Sequence, residues 1–106
     1  MKSIKFEDKF VPVLLSGKKD TTWRIDDEKG ISAGDEIALC RKDGKEFARA
    51  KVLWVREKTY GTLTEEDKGG ADVFASEKEM YEAFSQHYGF PVTPSTKVKV
   101  IKFRLL

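Results

Sequence analysis

The sequence predicts a mainly β domain with peripheral helices (α+β): five or six strands in a small curled antiparallel sheet, flanked by two or three helices. Three observations lead there. Short β-prone runs with alternating apolar residues recur along the chain. Lys42-Asp43-Gly44-Lys45 joins two of them as a hairpin turn. Only one stretch, residues 76–88, combines a strong helical stripe with caps at both ends. With 106 residues the chain makes one domain, 1–106, with one modest core.

The elements follow in order. Ile4 and Phe6 alternate with polar neighbours, so residues 2–6 read as a strand. Phe10, Val13 and Leu14 fall at helical spacing, with Pro12 in the first turn, where its missing N–H is tolerated. Gly17 stops this helix and residues 20–25 are extended. Residues 26–34 form a polar loop closed by Gly34-Asp35. Residues 36–41 are a strand with Ile37 and Leu39 inward, and residues 46–57 are a long one. Its Ala48, Ala50, Val52 and Trp54 share a face, which assigns Trp54 to the core. Thr62 to Asp67 opens a short helix, with Thr64 and Asp67 as caps, that Gly69-Gly70 ends.

Ser76-Glu77-Lys78-Glu79 is a capping box. The helix after it carries Met80, Ala83, Phe84, His87 and Tyr88 as one stripe, so His87 reads as a packed histidine, and Gly89 and Pro91 end it. Residues 98–106 are the last strand. Val98 and Val100 point one way while Ile101, Phe103 and Leu105 point the other, which suggests a bulge near Val100. Closing such a sheet into a barrel would hide its edges.

Composition excludes several classes. No apolar run approaches the roughly 20 residues of a membrane span. The first residues lack an apolar signal core, so a cytoplasmic location is the default expectation. Cys40, in an apolar run, reads as a buried structural thiol. One cysteine and one histidine fall short of the usual zinc ligand set, and neither a metal nor a cofactor is expected. The oligomeric state stays open, with a monomer as the working expectation. The net charge of +2 conceals alternating blocks of +3, −4, +4, −5 and +4 over residues 1–24, 25–40, 41–58, 59–88 and 89–106. Solvated strand faces explain the positive blocks; so does a sheet with one basic face suited to phosphate.

Residues 17–24 concentrate the chemistry. Lys18, Lys19, Thr21, Thr22, Trp23 and Arg24 follow the helix-ending glycine directly. On a strand Thr22 and Arg24 share one face, and Thr21 and Trp23 the other. Lys19 and Arg24 differ by five positions, so Lys19 must lie in the turn if both serve one pocket. A plain solvated turn is the simpler reading. Cations beside hydroxyls can otherwise hold an anion or, with a deprotonated lysine, activate an alcohol.

Gly17-x-Lys19-x-x-x-x-Arg24 matches the G-x-K-x-x-x-x-R signature of the ASCH domain family. Gly34-Asp35, Thr62-Leu63-Thr64-Glu65, the 76–88 helix and the closing Val100-Ile101-Lys102-Phe103 also resemble small single-domain members, over essentially the whole chain. The resemblance implies a PUA-like mixed β-barrel with a cleft beside the signature that binds RNA or nucleotides. It is also similar to bacterial amidohydrolases that remove the acetyl group from N(4)-acetylcytidine. Their catalytic lysine, threonine and glutamate fall on Lys19, Thr22 and, across a gap and with a shorter side chain, Asp72.

Two functional readings use these residues differently. For binding of RNA or a modified nucleoside, Lys18, Lys19 and Arg24 contact phosphate, Arg49, Lys51, Arg56 and Lys58 extend the track, and Trp23 or Tyr60 stacks a base. Trp23 is equally compatible with the core. For hydrolysis, Lys19 takes the Thr22 proton, Asp72 orients water or the leaving amine, and Arg24 steadies the oxyanion. A protein-interaction module ranks third, since no exposed apolar patch is evident.

Overall fold

The computed structural model describes residues 2–25, 30–64, 67 and 76–106. Five strands form one mixed sheet: β1 (Lys2–Phe6), β2 (Thr21–Arg24), β3 (Glu36–Arg41), β4 (Glu46–Thr59) and β5 (Lys97–Leu105). Their spatial order is β1-β3-β4-β5-β2. All pairings are antiparallel except β1 with β3, so the sheet is mixed where the residues alone suggested antiparallel. Among the described residues two complete helices accompany it, α1 (Val11–Leu15) and α2 (Glu77–Tyr88), together with 3-10 turns at Asp8–Phe10 and Tyr60–Thr62. The Tyr60–Thr62 turn occupies the start of the expected 62–67 helix, Asp67 at its end is helical, and Gly69-Gly70 lies outside the described residues. No helix among the described residues is long and apolar enough to cross a membrane.

The sheet curls into a half-barrel. β1 and β2 are its two edges and each has a single strand neighbour. The expected closure is therefore incomplete, and a side-chain bond reaches across the gap: Arg24 Nη2 donates to the Lys5 carbonyl at 3.1 Å.

Apolar residues pack on both faces of the sheet. One cluster holds Ile4, Phe6, Leu14, Ile37, Leu39, Ala50, Val52, Ile101 and Phe103; the other holds Trp23, Tyr60, Met80, Val92, Val98 and Val100. This explains β5. Its even positions serve one cluster and its odd positions the other, so strict alternation holds and no bulge is needed near Val100. The irregularity lies in β4 instead. Val52 pairs with Phe103 and Trp54 with Lys102, which leaves Leu53 as the extra residue. One inserted residue reverses the parity of all that follow. Trp54 thereby leaves the face of Ala50 and Val52 and packs, partly exposed, against the second cluster, while Val55 takes the first.

Local chemistry fixes the turns. Lys2 Nζ donates to Asp35 at 2.8 Å, and the Ser32 amide does so at 2.9 Å. Both hold the Asp35 carboxyl below its ordinary range and seat the loop before β3. Ser76 caps α2 by accepting from the Glu79 amide at 3.2 Å, and Gly89 ends it at φ 76°. Gly17 ends α1 at φ 79°, with its amide donating to the Leu14 carbonyl at 3.1 Å. A methyl group there would meet nothing within 4 Å, so only the left-handed backbone resists it. Gly17→Ala is expected to lower stability by about 1 kcal/mol, with Gly17→Asn less costly. Side-by-side denaturant melts check this order.

Candidate functional site

α1, the turn after it and the edge strand β2 place the signature residues. Beyond Gly17 the side chain of Lys18 stands in solvent. Lys19 turns inward and is only 4% exposed, and its amide donates to the Val13 carbonyl at 3.4 Å. Asp20 clamps the approach to β2. Its carbonyl accepts from the Phe103 amide at 3.0 Å, and its carboxylate pairs with Lys102 at 3.1 Å. Lys19 thus lies in the turn, as sharing a pocket with Arg24 required.

A cleft of about 510 Å³ opens beside these residues, a size suited to a small molecule. Lys19, Thr22, Trp23 and Arg24 line it together. Lys19 Nζ sits 5.6 Å from the centroid of the Phe10 ring, also in the wall. Thr22 is 7% exposed. The Arg24 guanidinium lies 5.9 Å from the Phe6 ring while it bonds the Lys5 carbonyl. β2 is an edge strand, so residues from both of its faces reach the cleft.

The other expected residues are distributed differently. Lys18 and Thr21 are not in the wall. Thr21 is fully buried, and its hydroxyl has no hydrogen-bond partner among the described residues. Asp72 lies outside the described residues. Tyr60 is buried in the second cluster and cannot stack a ligand. Burial, and then the nearby Tyr88 and Tyr81, push its phenol well above the ordinary tyrosine range.

β4 supplies no track for a nucleic acid at the cleft. Arg49 pairs with Glu46 at 3.2 Å. Arg56 and Lys58 reach the buried Asp67 carboxylate at 3.4 and 2.6 Å, and the Arg56 guanidinium also stacks 3.9 Å from the Trp54 ring. Asp67 accepts further bonds from the Thr64 amide and hydroxyl, both at 2.9 Å, and its own amide donates to the Thr64 hydroxyl at 3.3 Å. Thr64 and Asp67 therefore cap one another reciprocally. Burial alone would raise the Asp67 carboxyl; the bonds from Lys58 and Thr64 outweigh it and hold it below the ordinary carboxylate range. The Asp67 carbonyl in turn accepts from Trp23 Nε1 at 2.8 Å, which fixes the indole beside the cleft.

Sequence reasoning missed the wall that α2 contributes. Ala83, Phe84, His87 and Tyr88 all line the cleft. The Phe84 and Tyr88 rings stack at 6.4 Å and 15°, and Tyr88 Oη accepts from the Ile25 amide at 3.3 Å. His87 is exposed, edge-on to Tyr88 at 4.9 Å, and is not a core histidine. Met80 is the fully buried member of this helix, so Ala83 and His87 fall on the flank of the stripe that faces the cleft. Lys5, Glu7, Lys9 and Lys42 complete the wall, with Glu7 as its single carboxylate among the described residues.

By sequence, no family model and no curated protein matches the chain. Solved structures do match. A crystal structure from Enterococcus faecalis, described by the family model DUF984, aligns at 14% identity over 92% of this chain and 70% of that one, with a TM-score of 0.76. The ASCH domain from Lactobacillus crispatus aligns at 16% identity over 89% of this chain and 68% of that one, at 0.68. The solution structure of a Pyrococcus furiosus protein aligns at 20% identity over 99% of this chain and 96% of that one, at 0.65. At such identities the likeness is one of architecture. The half-barrel of β1 to β5 with its two helices is the small PUA-like fold of the ASCH domains.

Proposed function

We propose that the cleft binds a nucleoside, either a modified nucleoside or one presented by RNA. The supporting observation is a lysine and a threonine, Lys19 and Thr22, buried in a cleft that Phe84 and Tyr88 also line. Phe84 and Tyr88 offer ring faces to a base, a contact worth about 1–3 kcal/mol. Thr22, Lys19 and Arg24 offer a hydroxyl and cations to its polar edge. A cation that only tracks a phosphate backbone gains little from burial, because its strength there comes from releasing counterions at an exposed surface.

The burial of Lys19 and Thr22 in one cleft also favours a second reading, hydrolysis of the acetyl amide of N(4)-acetylcytidine. In this scheme the Lys19 amine takes the Thr22 proton and the alkoxide adds to the acetyl carbon. The C–N bond breaks as the amine of cytidine receives a proton. Water then releases acetate and restores Thr22. Arg24, which lines the same cleft, is the candidate to steady the oxyanion, and Asp72 is the candidate to orient water.

One assay separates the two. N(4)-acetylcytidine is incubated with the protein, cytidine and acetate are followed by chromatography, and binding is measured by calorimetry. Heat of binding with release of both products supports hydrolysis. Binding without release supports recognition alone. Well-folded protein showing neither rejects the nucleoside reading.

A further inference from the structure

We infer that the mouth of the cleft is a site for a terminal phosphate, so that the preferred ligand is a nucleoside monophosphate rather than a bare nucleoside; this rests on the nucleoside reading above. The cations of the cleft separate by depth. Lys19 is buried and Arg24 half-buried, whereas Lys5, Lys9 and Lys42 are exposed. These three come from β1, from the 3-10 turn at Asp8–Phe10 and from the β3–β4 hairpin turn. Three separate segments therefore bring ammonium groups to one opening.

Elsewhere on the sheet several cations are matched by acids, although Lys51, Lys97 and Arg104 have no carboxylate partner among the described residues. Lys2 pairs with Asp35, Arg49 with Glu46, Lys102 with Asp20, and Arg56 and Lys58 share Asp67. At the mouth, Lys9 has Glu7 at 3.5 Å, but among the described residues Lys5 and Lys42 have no carboxylate partner. Three lysines and one glutamate leave the opening with two positive charges. Like charges gathered at a concave wall repel one another and concentrate an anion there. A phosphate monoester carries about −1.5 to −2 charges near neutral pH, which offsets that excess. A phosphodiester inside a strand carries one and leaves part of it uncompensated. Lysine suits this task, since its flexible point charge reaches a phosphate without a fixed fork geometry.

The geometry orders the ligand. The base lies against Phe84 and Tyr88 with its reactive edge toward Lys19 and Thr22, and the phosphate sits outward among Lys5, Lys9 and Lys42.

The test compares cytidine, cytidine 5′-monophosphate and the dinucleotide cytidylyl-cytidine by calorimetry on the intact chain. At low salt the monophosphate is expected to bind at least about tenfold tighter than cytidine, with the gap closing as salt rises to roughly 0.5 M. The Lys5→Gln/Lys42→Gln double variant brings the monophosphate down to the level of cytidine. Lys97→Gln, which removes an exposed charge of β5 outside the cleft, keeps the preference. Equal affinity for cytidine and its monophosphate overturns the phosphate site and leaves the nucleoside reading standing. A dinucleotide that binds more tightly than the monophosphate overturns it in favour of an RNA strand. Failure of all three to bind overturns both.

Discussion

On the hydrolysis reading, Lys19→Met is expected to abolish release of acetate from N(4)-acetylcytidine while the protein stays folded. Methionine keeps most of the buried volume and the packing against Phe10, so the change removes chiefly the amine. A positioned base contributes about 10²–10⁴-fold, and losing it should cost at least that much in turnover. Thr22→Val, which exchanges the hydroxyl for a methyl of similar size, should match that loss. Because base and nucleophile act as one unit, the double variant should be scarcely worse than either single one. Product chromatography gives the rates, and a circular dichroism melt shows that the fold persists. A Lys19→Met protein that still turns over acetylcytidine at the parental rate would remove the lysine from the chemistry.

The second large effect concerns stability. Asp67→Asn is expected to destabilise the fold by about 2–4 kcal/mol, because it removes the buried charge that both Lys58 and Arg56 approach. For a domain of this size the melting temperature should fall by roughly 10 °C or more. The pH dependence has a defined sign. The folded carboxyl lies below its ordinary value, so its stabilising effect is complete above the unfolded carboxylate range, near pH 4, and fades as pH falls through the folded value. Melts taken from pH 7 to pH 3 should show a steeper decline in the parent than in the variant. Fluorescence of Trp23, whose indole N–H donates to the Asp67 carbonyl, should report the loosening locally.

Much of this architecture was legible in the chain because strands and caps are local. The alternation of Ile4 with Phe6 and of Ile37 with Leu39, the Asp43-Gly44 turn, the Ser76 cap and the Gly17 and Gly89 stops each act within a few residues. The meeting of Lys19 with Arg24 was legible too, since a glycine and an edge strand suffice to bring them together. What stayed hidden depends on distant partners. A helical stripe announces an apolar face but not which flank meets the core and which borders a cavity, so His87 and Ala83 were assigned inward. An extra residue such as Leu53 leaves no mark in period-two patterning until its partner strand is in place, and Trp54 was therefore put on the wrong face. Arg56 and Lys58 read as free cations because Asp67 meets them only through the fold. Glu7 carried no signal at all.

The unclosed gap between β1 and β2 has a consequence for adaptation. A sealed cylinder can admit a new guest only by rupturing main-chain bonds or hollowing its centre. Here the Arg24 side chain bonds the facing lip, so a side-chain rotamer takes part in their contact in place of a main-chain ladder. Substitutions along the lips can then reshape what the protein accommodates while the packed interior keeps its own hydrogen bonds and volume, which lets ligand preference drift independently of foldedness.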